Sequence, residues 1–589
     1  MSSEAGGRTG RILALVGLVL VVIVLSLRRL DDWDLPWHLA TGRVIAQTHS
    51  IPRIDDLAFT HGVVKYTEVI SDVLLYGVIH VFGPFGLQLL NGLTVGATAL
   101  ALHRTLRGVG PFSYIVVALA IVTMSPWLYI RPATLSLLLL AVVMLVIDLH
   151  RREPESQRSE RALLLLVPLQ FVWANVHGYA PLGAILLWLH AGHRVVARLR
   201  PSPLTPREDG RALMIPIVAA VLSTAATAMS TAGPRLLVMV HRFDEDLEGI
   251  TEWMRPTLKL VWQISPAAYL LILLVLVALL FGRDPEARTR APSLFDLMVL
   301  VLAGALFLRA IRFIPVAALL VAPFCARRLD AYVRPSRVMH LACGFAAILP
   351  AFVVALGIEQ LLGIGWQPTA FPEAATQFIE QRRPAGRMWN FMPYGGYLAW
   401  RLHPTYRVFN DGRNALARDR SLVTRGRRSM FEAPVFAELV SELDMQWAIT
   451  CTIPGLCTGA AKFNEPLASS PDWRMVYFDD VAAIYVRRGG PNVALGERGY
   501  RAIDHLTTSS SMFELATKGG AKPADLAHDG LLAASQAPTS VRANTFAAIG
   551  ALATRDQAMF DSAIARLQQI APDTDAIPTL KNAWQSAPR

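Results

Sequence analysis

The chain has 589 residues and a net charge of +11; 53% of its residues are hydrophobic and only 17% are charged, with a mean hydropathy of +0.39. A water-soluble globular protein of this length carries more charge, so the composition excludes that class and points to a multi-span membrane protein. The positive balance is not a nucleic-acid footprint, because the basic residues sit in short clusters between apolar runs, which is the pattern of membrane orientation.

In chain order, the first apolar run covers 12–27, follows Arg8 and Arg11 and lacks a small-x-small cleavage site. It reads as a signal anchor rather than a cleaved leader. Further runs follow at about 85–103, 113–129, 133–149, 162–174, 179–196, 212–230, 266–281, 294–308, 313–326 and 339–363. Several are shorter than the ~20 residues that cross hydrocarbon unaided, so tilt or flanking aromatics complete them. The expected fold is therefore an α-helical multi-span membrane protein of about eleven transmembrane helices. With a cytoplasmic N-terminus, the inner loops carry Arg104 and Arg107, then "RREPESQRSER", "RVVARLRPSPLTPREDGR", "GRDPEARTR" and "ARRLDAYVRPSR". Each is short and basic, as orientation requires. Arg28 and Arg29 are the exceptions, on the outer end of the first run.

The same model sends "LRRLDDWDLPWHLATGR", "IRP", "WANVHG", "FDEDLEGITEW" and "LRAIR" to the outer face together. Between them, "TEVISDVLLYGVIHVF" places Glu68, Asp72, Tyr76 and His80 at every fourth position. That spacing predicts an amphipathic surface helix with its polar stripe turned to water or a cavity. After residue 364 the pattern changes. Residues 365–490 alternate strand-like and amphipathic pieces and read as a small α/β domain. Residues 491–589 are Ala-rich and read as a helical tail, or as a tetratricopeptide-like unit. An odd number of spans puts both outside the cytoplasm, beyond a membrane core of 1–364 whose first outer loop is 28–84. Cys325 and Cys343 read as apolar fillers, whereas "TCTIPGLC" allows Cys451 and Cys457 to close a small disulfide loop in an oxidising compartment.

The chemistry gathers on the outer face. Pro36 suits a helix start and pushes its predecessor extended, so Asp32 to Leu35 reads as extended and 36–47 as a short helix. Asp32 and Asp34 then point to one side. Paired carboxylates share a proton, bind a divalent cation such as Mg or Mn, or split into a base and an orienting group. The helix start beside them is also a site for a phosphate. Arg131, Arg309 and Arg312 sit at outer ends of spans, where ionisable groups are costly and guanidinium matches phosphate oxygens bidentately. His38, Asp72, Asn175, His177, Glu252 and Trp253 complete the substrate-facing set; for the tryptophans an interfacial aromatic belt is the competing reading. No phosphate-binding glycine loop, nucleophile elbow or HExxH zinc motif occurs. An outward-facing enzyme without a nucleotide site takes its activated donor from the bilayer.

"DWDLPWHLATGRVIAQTHSIPRIDDLAFT" followed by "TEVISDVLLYGV" resembles the first outer loop of bacterial GT-C-type glycosyltransferase-like membrane proteins, relatives of the protein mannosyltransferases and lipid A aminoarabinose transferases. The resemblance implies a polyprenyl-phosphate-sugar donor and an acidic residue after the first span that deprotonates the acceptor. Asp32 and Asp34 match that acidic motif, Asp34 being preferred as base, and Glu68 matches a carboxylate on the following surface helix. Asp31 departs from the pattern by crowding a third acid into it. "YGGYLAWRL" and "FNDGRN" are also similar to that subfamily, without attached chemistry. The expectation is an inverting sugar transfer to an envelope glycan or protein at the outer face of a bacterial inner membrane. The alternatives are a non-catalytic assembly or transport component of envelope polysaccharide biogenesis, and a polysaccharide polymerase or ligase using the same site.

Overall fold

The computed structural model describes residues 2–63, 66–201, 213–238, 251–280, 292–330, 336–413, 419–453, 455–457 and 464–586. Of the basic loops used to orient the chain, Arg104 with Arg107 and 151–161 are described, 194–211 and 326–337 lie partly outside these residues and 282–290 wholly outside, as does 243–250 of "FDEDLEGITEW". The chain divides into two compact units, 1–51 with 65–366, and 52–64 with 367–589.

The first unit is helical throughout. Its elements are α1 (Ser2–Ser26), α2 (Leu35–Thr48), α3 (Val69–Thr105), α4 (Phe112–Met124), α5 (Pro132–Arg152), α6 (Gln157–Ala174) and α7 (Pro181–Leu199). They continue as α8 (Met214–Ala228), α9 (Leu258–Ile264), α10 (Ala267–Leu280), α11 (Leu294–Arg309), α12 (Ile314–Leu329), α13 (Arg337–Ala346) and α14 (Leu349–Gly357). Every apolar run read from the sequence falls on a helix. Among the described residues, four helices are long and apolar enough to cross a membrane, or five if the bent pair α9–α10 counts as one span. Gly83 (φ 66°) breaks the helical path of α3 just before Pro84. This separates the segment carrying Glu68 and Asp72 from the apolar run that follows, because a left-handed residue cannot continue an α-helix. At the start of α11, Ser293 and Asp296 form a capping box that satisfies two otherwise unpaired amides.

The polar stripe on α3 does not face water along its length. Asp72 is buried against α2, where its Oδ1 lies 2.7 Å from His38 Nδ1, whereas His80 is exposed. The close approach depends on Gly42: a Cβ there would stand 2.0 Å from the Asp72 carbonyl oxygen. Gly42→Ala is expected to push α2 off α3, break the His38–Asp72 contact and lower the thermal midpoint of the full chain in detergent; an unchanged midpoint would show that the helices yield.

The second unit opens with α15 (Glu373–Arg382), β1 (Arg387–Asn390), α16 (Met392–Leu402), α17 (Arg420–Arg428), α18 (Ala433–Glu442) and β2 (Met445–Cys451). It continues through α19 (Glu465–Ser469), β3 (Trp473–Phe478), β4 (Ala482–Arg487) and α20 (Val493–Glu497), then α21 (Ser509–Lys518), α22 (Pro523–Gln536), α23 (Val541–Thr554), α24 (Gln557–Ile570) and α25 (Ala576–Ser586). The sheet order is β1-β2-β4-β3, with β1 and β2 parallel and the other neighbours antiparallel. The tail is joined to this sheet through Gln536, whose Oε1 accepts from Phe478 N at 3.0 Å. Cys451 and Cys457 form a disulfide.

"TYRVFND", a strand candidate by pattern, adds no strand to the sheet. Val408 instead bridges Ala58 of the first loop. Asn390, fully buried at the end of β1, accepts from Phe409 N at 2.8 Å and donates to the Asn410 carbonyl at 2.9 Å. The loop so held delivers Arg413, whose guanidinium forks between Asp411 (2.6 Å) and Asp55 (2.8 Å). Residues 52–64 of the first loop are thus built into this unit by buried charge, which the sequence reading, assigning them to 28–84, did not anticipate.

Candidate functional site

In the first unit, five side chains meet that each stand where a helix begins or where two helices join. Asp34, Glu68 and Arg131 are the residues immediately before α2, α3 and α5. Glu252 lies in the 3₁₀ turn Thr251–Trp253, and Arg312 in the 3₁₀ turn Ile311–Phe313 between α11 and α12. The two turns are tied by a hydrogen bond from Ile311 N to the Met254 carbonyl at 3.0 Å. Pro36 and Pro132 are each at a helix start, where their missing amide costs nothing. Residues outside the helical ladder are free to turn their side chains across the end of the bundle.

Arg131 is the hub. Its Nη2 donates to Glu252 Oε1 at 2.7 Å and its Nη1 lies 3.7 Å from Asp34 Oδ2. Its guanidinium carbon stands 4.6 Å above the Tyr129 ring, and the Tyr129 hydroxyl donates to the same Glu252 oxygen at 2.9 Å. Arg312 lies over the Trp253 ring at 4.2 Å, and its Nε donates to the Tyr179 hydroxyl at 3.1 Å. Glu68 approaches His177 Nε2 at 3.6 Å and His38 Nδ1 at 3.8 Å. His177 Nδ1 accepts the Tyr179 amide at 3.3 Å, so the Nε2 facing Glu68 carries the proton.

The three crowded acids separate. Asp31 is held by Arg28 in a bidentate pair at 3.2 and 2.9 Å, which gives one of the two arginines after the first apolar run its partner. Asp32 Oδ1 accepts the Asp34 amide at 3.4 Å, and its Oδ2 is buried without a hydrogen-bond partner among the described residues. The Asp34 carboxylate keeps 44% of its side chain exposed and accepts from Trp37 Nε1 at 3.2 Å. Asp32 and Asp34 are not presented by an extended strand, contrary to the sequence reading. Helix α2 begins one residue early and Asp34 is already helical (φ −81°, ψ −32°), because its carbonyl accepts from Trp37 N at 3.2 Å and His38 N at 3.4 Å. The phosphate site expected at this helix start is correspondingly reduced, since Pro36 has no amide and Trp37's is taken.

Environment sorts the carboxylates. Partial desolvation among the crowded helix ends, aided by the charge of Glu252, raises Asp34 above the ordinary range against the pull of Arg131. Burial, followed by the charge of Asp34, lifts Glu68 to about 8, so it is a neutral acid at pH 7. Glu252 is also buried, but Arg131 and Arg312 outweigh that and hold it at about 2. Burial and the same two arginines keep His177 neutral.

Of the remaining sequence candidates, Asn175 spends its side chain on the backbone, donating to the Phe171 carbonyl at 2.9 Å and accepting from Thr231 N at 3.1 Å. Arg309 ends α11, half-buried, three residues before Arg312. Tyr129 and Tyr179 went unread, although "YIRP" already sets Tyr129 two residues before Arg131. Among the described residues no three His, Cys, Asp or Glu side chains group to hold an ion, and the Arg131 guanidinium lies 3.7 Å from Asp34 and 2.7 Å from Glu252.

No family model matches the sequence, and no curated protein matches it. Solved structures do. The apo oligosaccharyltransferase of Archaeoglobus fulgidus superposes with a TM-score of 0.50 at 11% identity, covering 75% of this chain and 69% of that one. The arabinofuranosyltransferase AftD from Mycobacteria superposes with a TM-score of 0.51 at 15% identity, covering 82% of this chain and 40% of that one. At these identities the likeness shows the fold alone, an arrangement shared with these two structures.

Proposed function

We propose that this chain transfers a sugar from a polyprenyl-phosphate-linked donor to an acceptor hydroxyl at the outer face of a bacterial inner membrane. The observation that carries the reading is the single cluster of Asp34, Glu68, Arg131, Glu252 and Arg312 at one end of a GT-C-type helix bundle. Asp34, the solvent-open acid, takes the hydroxyl proton as the acceptor oxygen attacks the anomeric carbon from the face opposite the phosphate. The carbon–oxygen bond to phosphate breaks with inversion, and Arg131 and Arg312 meet the charge that the leaving lipid phosphate gathers. Glu252 orients Arg131, and neutral Glu68 avoids adding a second negative charge beside Asp34. His38 and Asp72 act from behind by fixing α2 against α3. The disulfide in the second unit supports an extracytoplasmic placement of that part. Acceptors of this chemistry are envelope glycans or hydroxyl-bearing protein side chains.

The test is release of polyprenyl phosphate by the purified full chain from synthetic polyprenyl-phosphate sugars, in lipid, across pH. The expected profile is bell-shaped. Activity falls at low pH as Asp34 takes a proton, and falls near pH 8 as Glu68 ionises and repels the phosphate. Glu68→Gln is expected to keep activity at pH 7 and lose the alkaline limb. An alkaline limb that persists in this variant would remove Glu68 from the account. No release from any lipid-linked sugar would favour a non-catalytic envelope component.

A further inference from the structure

The two arginines of the site are not equivalent. Arg131 is spent: its Nη2 donates to Glu252 at 2.7 Å, its Nη1 faces Asp34 at 3.7 Å, and its Nε is buried. Arg312 makes one side-chain hydrogen bond, from Nε to the Tyr179 hydroxyl at 3.1 Å. Its two Nη groups have no partner among the described residues, and neither is sealed from solvent. A guanidinium meets a phosphate through two parallel N–H groups along one edge. With Nε taken, the edge left open to a pair of oxygens is Nη1–Nη2. The charge of this group favours the ionised forms of Asp34, Glu68 and Glu252, so it lies within Coulomb reach of all three.

Aromatic side chains aim that open edge. The Tyr179 hydroxyl accepts from Arg312 Nε and donates to the Arg312 carbonyl at 3.2 Å, tying side chain and backbone to one oxygen. The guanidinium carbon lies 4.2 Å from the centre of the Trp253 ring and 5.4 Å from that of Tyr179. Phe313, the next residue, is buried and packs on both rings, 5.5 Å from Tyr179 and 6.2 Å edge-on from Trp253. Cation–π contact holds a guanidinium without using any of its N–H groups. An unrestrained arginine loses side-chain freedom when it binds, and one already held loses less.

We propose that Tyr179 and Trp253 are positioning residues that hold Arg312 as a preformed bidentate clamp for the phosphate of a lipid-linked ligand, while Arg131 contributes charge alone. This assignment rests on the lipid-phosphate donor proposed above for the same site.

The experiment measures the affinity of the full chain, in phosphatidylcholine nanodiscs, for farnesyl phosphate and for uncharged farnesol. A structural defect weakens both, whereas a lost clamp lowers only the preference for the phosphate. The wild type is expected to prefer the phosphate, and Arg312→Gln to lose most of that preference. Tyr179→Phe keeps the ring and removes the hydroxyl, and is expected to lower the preference by roughly threefold to tenfold, the worth of one hydrogen bond. In the Arg312→Gln background it should add nothing, because it acts through the arginine. Trp253→Phe should keep more of the preference than Trp253→Leu. An unchanged preference in Tyr179→Phe, an equal loss in the Arg312→Gln background, or no preference in the wild type would overturn the clamp. Inorganic phosphate bound as tightly as farnesyl phosphate would overturn the lipid assignment. Where Tyr179→Phe fails to fold, the two Trp253 variants decide. Release of polyprenyl phosphate from a sugar donor is scored separately. Turnover beside an unchanged preference in Tyr179→Phe sinks the clamp and spares sugar transfer, and a clamp without turnover does the reverse.

Discussion

Asp34→Asn is expected to lower sugar transfer by about 10²–10⁴-fold, the usual contribution of a positioned general base. That is roughly 3–5 kcal/mol on the barrier at 1.36 kcal/mol per tenfold. The fold should survive, because an asparagine oxygen still accepts from Trp37 Nε1, and the native side chain is half open to solvent. Removing the negative charge also frees Arg131 to lean fully on Glu252, already 2.7 Å away. Donor binding should therefore persist while turnover is lost, a fall in kcat larger than any rise in KM. The decisive comparison is Asp32→Asn under the same conditions. Asp32 has one buried carboxylate oxygen without a partner among the described residues, so its neutral amide is expected to be tolerated. An inactive Asp32→Asn beside an active Asp34→Asn would transfer the role of base to Asp32.

Arg413→Ala is expected to destabilise the second unit by about 3–5 kcal/mol, the cost of leaving buried charges without their partner. The side chains of Asp55 and Asp411 are 0% exposed and that of Arg413 is 3%. Burial alone would raise the Asp55 pKa, but Arg413 and His61 outweigh it and hold the carboxyl far below its usual range. A depressed carboxylate contributes stability that is present above its unfolded pKa and is lost as pH falls through the folded value. The wild-type chain should therefore lose this stabilisation in acid, and Arg413→Ala should lack it at neutral pH. Thermal unfolding of the full chain, with proteolysis reporting on 52–64, measures both. Arg413→Lys should rescue poorly, since an ammonium cannot fork between two carboxylates. An unchanged midpoint and an intact 52–64 segment in Arg413→Ala would show that the backbone bridge at Ala58 and Val408 suffices.

These two sites differ in how far they could be read before folding. Asp34 stood out because acids, tryptophans and a histidine follow an apolar run directly, and lipid and water sort such residues by sequence position alone. Arg131, Glu252 and Arg312 were found separately for the same reason, each as a polar residue at a membrane boundary. Their pairing was not legible. Arg131 and Glu252 are 121 positions apart, and only helices running the length of the bundle bring them to one end. The sorting of Asp31, Asp32 and Asp34 was hidden too, because it depends on which acid Arg28 reaches.

The second unit shows the same limit. Strands β1 to β4 were marked by short β-branched and aromatic runs, but "TYRVFND" has that composition and forms no sheet strand. Its partner is Ala58, some 350 positions earlier. What sequence by itself determined is the apolar helical character of the first unit, a set of candidate residues beside its helix ends and the α/β nature of the later domain. All three follow from local hydrophobic patterning, which each segment carries in itself. Only the tertiary structure decided which carboxylate stays open, which carries a proton at neutral pH and which is spent on a buried arginine. Those outcomes depend on burial and on charges contributed by distant segments, and no local pattern encodes either.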